Sequence, residues 1–360
     1  MVGAAFLIIA EGSFVNRVAF THRTAINVGL ISYPLYLWHW PLLVFAEIYK
    51  FKPLTDVEKG LVIGATFVLA SFTYKLLERP IRMSGNAFVK PLVASMAGLA
   101  VAAMAPSFGY VPTLPDAIVQ LVTPPGNGIG WRVHECMLLE TDANGFAPDC
   151  SDQKRPLIAI WGDSTASALV PGFRRLQEKH EFGLAQYTVS SCPPLLLRPI
   201  PTKQCLDRNQ KIVDLISATA PDVVILHAIW DVNDRTEDLR PTIEALRARH
   251  VPRIVLLGPV PVWPGGLPNA AAAYFWRTRA IVPERIGSYF DKASGDSLLR
   301  KISAELNIEY ISARDAFCND SGCLARIGNS LTASDTLHLT AVGSDFLVKA
   351  VLDRLRLSER

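Results

Sequence analysis

The sequence predicts an α/β domain, a parallel sheet flanked by helices, preceded by an all-α transmembrane region. Three observations lead there. Long apolar runs are confined to the first 110 or so residues. After residue 156, short apolar strand patterns alternate with helical ones, which is the signature of a parallel sheet covered on both faces. All six cysteines fall in this second part. The chain has 360 residues, half of them hydrophobic, with a net charge of +3. Its mean hydropathy is +0.24. This length suits about two or three domains. The near-neutral charge gives no support to a nucleic-acid partner.

In chain order, residues 1–110 read as transmembrane helices. "AINVGLISYPLYLWHWPLLVFAEIY" (25–49) is long and apolar enough to cross a bilayer, with aromatics gathered towards one end. Residues 60–74 and 92–105 are shorter candidates, and 2–10 resembles the tail of a further span. Arg17 and Arg23 flank the first connecting loop; Lys75, Arg79, Arg82 and Lys90 flank the third. The positive-inside rule places these loops in the cytoplasm, so the last span leads outward. His39 sits between two tryptophans inside a span. An ionisable residue there is either functional or hydrogen-bonded among the aromatics near the interface. Glu78-Arg79-Pro80 reads as a helix-end ion pair or a stop signal.

Residues 111–155, rich in Pro and Gly, read as a linker and an extracytoplasmic loop. The α/β domain follows over 156–360. Strands are expected at 157–161, 184–189, 222–226, 253–257 and 309–311. Helices are expected at 166–180, 204–219, 239–250, 298–306 and 341–355, with Pro171 kinking or delaying the first. The cysteines fall into close pairs, Cys136/Cys150, Cys192/Cys205 and Cys318/Cys323, which suggests three local disulfides and an oxidising compartment. Their spacing does not match a zinc ribbon, and no metal site is expected.

Two motifs carry chemistry. Gly162-Asp163-Ser164 ends the first strand and opens a helix, which presents a hydroxyl at the carboxyl edge of the sheet, where ligands of open α/β folds bind. The free N–H groups of a helix start suit a developing oxyanion. Asp335 and His338, three residues apart before the last helix, offer a base with an orienting carboxylate. The first strand and last helix of one sheet can bring Ser164, His338 and Asp335 together.

These motifs resemble the SGNH (GDSL-type) esterase family over roughly residues 150–358. The resemblance implies an SGNH-hydrolase-like (flavodoxin-like) sheet with Ser164 as nucleophile, His338 as base and Asp335 as its orienter. It also implies oxyanion donors from the Ser164 N–H and from the next two strand ends. Ser191, in "VSSCPPLL", and Trp230 or Asn233, in "ILHAIWDVND", are the candidates there, although the family's usual Gly and Gly-x-Asn-Asp are absent.

"SYPLYLWHWPLLVF" with "YKLLERPIR" resembles the last spans of the acyltransferase-3 membrane family. "SSCPPLL", "CLDRNQ" and the Cys318/Cys323 pair resemble the subgroup in which that domain is fused to an SGNH domain. This implies a bacterial inner-membrane, multi-pass protein with a periplasmic SGNH domain. Such a protein would O-acetylate a polysaccharide such as lipopolysaccharide O-antigen. The acyl donor would be acetyl-CoA, used through the membrane domain, with no bound cofactor; the partners would be a polysaccharide acceptor and membrane lipid. The family's membrane domain has more spans than are found here, so the chain is expected to be the carboxyl-terminal piece of such a fusion. The remaining spans would then lie on a longer gene or on another chain. The alternatives are a carbohydrate O-acetyl esterase, or an inactive fragment serving as a binding module. Trp263, Tyr274, Phe275 and Trp276 form either a sugar-stacking lid or ordinary packing.

Overall fold

The computed structural model describes residues 22–50, 54–83, 88–104, 113–124, 126, 128–196, 202–230, 239–287 and 294–356. The chain divides into two compact units, Met1–Thr113 and Leu114–Arg360.

The first unit contains α1 (Arg23–Leu30), α2 (Ser32–Lys50), α3 (Asp56–Thr73) and α4 (Val89–Met104). The expected span over 25–49 is broken: α1 and the start of α2 meet at 61°. Pro34 accounts for the bend, because it cannot donate to the carbonyl four residues back and its ring collides there. The helix expected at 60–74 is longer than its apolar core. Thr55 and Glu58 form a capping box that starts it upstream. A π turn, Tyr74–Glu78, then carries it on to Met83, and this register change falls just before Pro80. By length and composition the resulting helix, Asp56–Met83, is long and apolar enough to cross a membrane. Glu78 pairs with Arg82 at 2.6 Å rather than with Arg79. His39 donates from Nδ1 to the Tyr36 carbonyl of its own helix at 2.8 Å, and its ring packs beside that of Tyr36. Residues 2–10 lie outside the described residues.

The second unit is built on six parallel strands: β1 (Met137–Leu138), β2 (Leu157–Gly162), β3 (Gly183–Val189), β4 (Val223–His227), β5 (Ile254–Leu257) and β7 (Glu309–Ile311). Their spatial order is β1-β3-β2-β4-β5-β7. Both faces are buried, so the strands read as continuous apolar runs. Ile158, Ile160, Leu184, Ile225 and Val255 point to one face, under α7 (Val170–Leu176) and α13 (Ala341–Leu355). Leu157, Ala159, Trp161, Val224 and Leu226 point to the other, under α8 (Lys203–Thr219), α9 (Arg240–Ala248) and α11 (Ser294–Glu305). The expected helix over 166–180 is split into α6 (Ser164–Ser167) and α7, with Pro171 in the first turn of the second piece.

Residues 114–155 are not a free linker. They supply α5 (Asp116–Val122), and β1 pairs with Thr188 and Val189 of β3. The segment around Trp263 also departs from expectation: it runs into α10 (Leu267–Thr278). A small antiparallel sheet joins β6 (Arg285–Ile286), β8 (Cys318–Asn319) and β9 (Gly322–Leu324). The sulfur pairs Cys136–Cys150, Cys192–Cys205 and Cys318–Cys323 are all bonded, matching the expected pairing.

Candidate active site

The turn after β2 is fixed by its own residues. Asp163 is buried and caps α6, with Oδ1 accepting from the Thr165 N–H at 2.8 Å and the Thr165 hydroxyl at 2.6 Å. Its Oδ2 accepts from the Ile229 N–H at 2.8 Å, tying the turn to the end of β4. Ser164 therefore opens α6 at the carboxyl edge of the sheet, at a position whose backbone N–H lies among those with no partner inside the helix.

The second half of the site is a loop before α13, closed by the bridge between Ala333 and Leu339. Within it Asp335 Oδ1 accepts from the Leu337 and His338 N–H groups at 2.9 and 2.8 Å. Its Oδ2 lies 2.6 Å from His338 Nδ1. From outside, the segment after β5 grips the same loop: the Trp263 N–H donates to the Thr336 carbonyl and the Leu267 N–H to the Asp335 carbonyl.

The two halves meet where His338 Nε2 lies 2.9 Å from Ser164 Oγ. Burial pushes the Asp335 carboxyl up, but the His338 ring and the two backbone N–H groups together hold it well below the usual carboxylate range. An ionised Asp335 requires the proton on Nδ1, which leaves the Nε2 lone pair facing the serine hydroxyl. This is the arrangement that draws a proton from a serine and returns it later.

The remaining candidates are placed less favourably. Ser191 lies in the exposed turn after β3 with left-handed backbone, φ +53°. Trp230 spends its indole N–H on the Leu257 carbonyl at 2.9 Å, so the indole is not a free oxyanion donor. Asn233 lies outside the described residues. Trp263 is buried and belongs to the packing; Tyr274 and Phe275 are half-buried, and Trp276 is exposed.

Sequence reading missed two residues. His227, the last residue of β4, is fully buried beneath the Asp163 turn. Burial pushes its ring towards the neutral form. Trp131 packs on the His338 ring, with centroids 5.2 Å apart. It lies in the stretch read as linker, where the Gly128-x-Gly130 pair was the available sign of a special turn. Trp131, Ile129, Pro171 and Leu339 also line a mainly apolar cavity of about 240 Å³.

A family model described as "SGNH domain (fused to AT3 domains)" matches residues 135–353. The chain belongs to this family. Among solved structures, the periplasmic domain of a lipopolysaccharide acetyltransferase from Salmonella ser. Paratyphi A is similar. It shares 29% identity with a TM-score of 0.53, over 57% of this chain and 86% of that one. The O-acetyltransferase OatA of Staphylococcus aureus is 37% identical over 59 residues, which is 16% of this chain and 10% of the relative's length. The SGNH family match begins at residue 135, ahead of the expected start at 156, and so takes in β1 and the Cys136–Cys150 disulfide.

Proposed function

We propose that this SGNH domain transfers an acetyl group to a hydroxyl of a cell-surface polysaccharide through an acyl-enzyme on Ser164. The observation that carries this reading is the hydrogen-bonded line Ser164 Oγ–His338 Nε2, His338 Nδ1–Asp335 Oδ2. In the first half-reaction His338 Nε2 takes the Oγ proton as Oγ attacks the acetyl carbonyl. The leaving group departs with that proton, and Ser164 carries the acetyl ester. In the second, Nε2 takes the proton of a sugar hydroxyl, whose oxygen attacks the ester, and Ser164 leaves reprotonated. The Ser164 N–H at the start of α6 is the first donor to the oxyanion. Acetyl-CoA is the ultimate donor, reached through the membrane region and any further acyltransferase-3 spans. Membrane association is supported by the apolar helix Asp56–Met83, and a periplasmic placement by the three disulfides.

The test uses the full chain in detergent with an activated acetyl ester, with and without lipopolysaccharide O-antigen, beside Ser164→Ala. Acetyl appearing on the sugar in a serine-dependent manner is the expected result. Serine-dependent release to water alone would replace the transferase by an esterase. Equal turnover by Ser164→Ala would overturn the assignment of the nucleophile.

A further inference from the structure

The loop that carries Trp131 is costly to build. Gly128, Gly130, Arg132 and His134 all have positive φ, at +95°, +76°, +55° and +69°. For Arg and His this left-handed backbone is unfavourable. It persists because both side chains are tied. The Arg132 guanidinium bonds Glu135 Oε2 at 3.0 Å and Asp149 Oδ2 at 2.6 Å, and His134 Nδ1 lies 2.8 Å from Asp142. The Cys136–Cys150 disulfide closes the same stretch.

A chain of buried polar groups then fastens this loop to the Ser164 turn. Gln186 and Thr188 lie on β3, inside a parallel sheet where apolar residues are the rule, and both are fully buried. Gln186 Nε2 donates to the Trp131 carbonyl at 2.7 Å and to Thr188 Oγ1 at 3.0 Å. Ser167, in the same short helix as Ser164, donates to Thr188 Oγ1 at 2.8 Å. Thr188 in turn donates to the Cys136 carbonyl at 3.1 Å. That fills one donor and two acceptor positions, which is all a hydroxyl offers. Three buried polar side chains thus fix the distance between the Trp131 loop and the helix that bears Ser164.

We infer that Trp131 is a positioning residue for His338: its backbone is tied to the Ser164 helix through Gln186, Thr188 and Ser167, and its indole, packed against the imidazole, holds the ring aimed at Ser164 Oγ. This rests on the acyl-enzyme reading above. The rings are tilted by 47° with centroids 5.2 Å apart. Trp131 also lines the neighbouring apolar cavity.

The test compares Trp131→Phe, Trp131→Leu and Trp131→Ala in the full chain, with steady-state kinetics on an activated acetyl ester. Leu and Ala are expected to lower kcat about 10-fold to 100-fold with KM nearly unchanged, the range that misaligning a catalytic group produces. Phe is expected to stay within about 3-fold of wild type, because it keeps the aromatic face. Wild-type kcat in the Ala variant, or Leu performing as well as Phe, would overturn the inference. If Ala does not fold, the Phe and Leu pair decides, since both fill space. The downfield NMR proton of the Asp335–His338 hydrogen bond reads the ring's placement without turnover. It should persist in Phe and broaden or vanish in Leu, and its persistence in every variant would overturn the positioning role. Ser164→Ala, run alongside, separates the outcomes: wild-type turnover there removes the acyl-enzyme reading, while the NMR signal still reports on Trp131.

Discussion

Gly162 at the end of β2 and His227 at the end of β4 approach so closely that a Cβ on Gly162 would lie 1.7 Å from the His227 carbonyl oxygen. It would also stand 2.8 Å from the Ala166 Cβ. Neither neighbour is a flexible side-chain end, so the strands or α6 would have to move. Gly162→Ala is expected to cost about 3 kcal/mol or more, at the upper end of overpacking effects. Denaturant midpoints would measure it. Labelling of Ser164 by a fluorophosphonate should weaken in parallel, because the same turn presents the serine. An unchanged midpoint would remove the steric account.

Asp335→Asn keeps the shape of the acid–base loop but loses the charge that sets the His338 tautomer. A fall in kcat of about 10⁴-fold is expected, as for the same exchange in serine proteases. The pH dependence has a definite sign. The carboxyl titrates lower in the folded chain than in the unfolded one, so its contribution to stability is complete above the ordinary carboxylate value of 3.8 and is lost as pH falls below it. Between pH 5 and 8 Asp335 stays ionised, and an acid limb of the rate profile in that window must belong to another group. Rate profiles of wild type and Asp335→Asn check both statements.

His227 gives a second pH dependence. Burial lowers its affinity for protons in the folded state relative to the ordinary value of 6.5. Below about pH 6.5 the unfolded chain binds the extra proton, so stability falls on acidification, by up to about 1.4 kcal/mol per pH unit from this one group. Above that value the contribution is complete. His227→Phe should flatten the slope of unfolding free energy between pH 5 and 6.5. The Leu257 carbonyl would still hold the Trp230 indole N–H. An unchanged slope would show that another group titrates there.

The disulfides should rank by the loops they close. Cys136–Cys150 has a sequence separation of 14, and Cys318–Cys323 one of 5. Loop-closure entropy gives about 3 kcal/mol for the first and about 2 kcal/mol for the second. Paired Cys→Ser replacements, compared by thermal unfolding, should therefore lower the melting temperature more at Cys136/Cys150. That pair should also lower kcat, because it supports the Trp131 loop; the Cys318/Cys323 pair should not.

Much of the fold was readable because it is decided locally. Strands buried on both faces are short apolar runs, and helices such as α8 and α13 carry their own periodicity and caps; Thr340, for example, accepts from the Gly343 N–H. Gly162-Asp163-Ser164 is a strand end, a cap and a helix start in sequence. Three-residue spacing lets a single loop hold Asp335 and His338. The cysteine pairs are near neighbours along the chain. What escaped depends on distant partners. β1 has two residues, too few for any period, and is a strand because the edge of β3 is there to pair with it. α5 is short and α10 is alanine-rich, and they pack against each other. Whether Trp263 was lid or core turned on the loop it packs under, and whether the Trp230 indole could reach an oxyanion turned on the Leu257 carbonyl. The elements and the chemical groups at their ends follow from local residue order. The tertiary structure alone decided that Trp131 lies on His338, because that contact depends on loop path and strand register, which no local periodicity encodes.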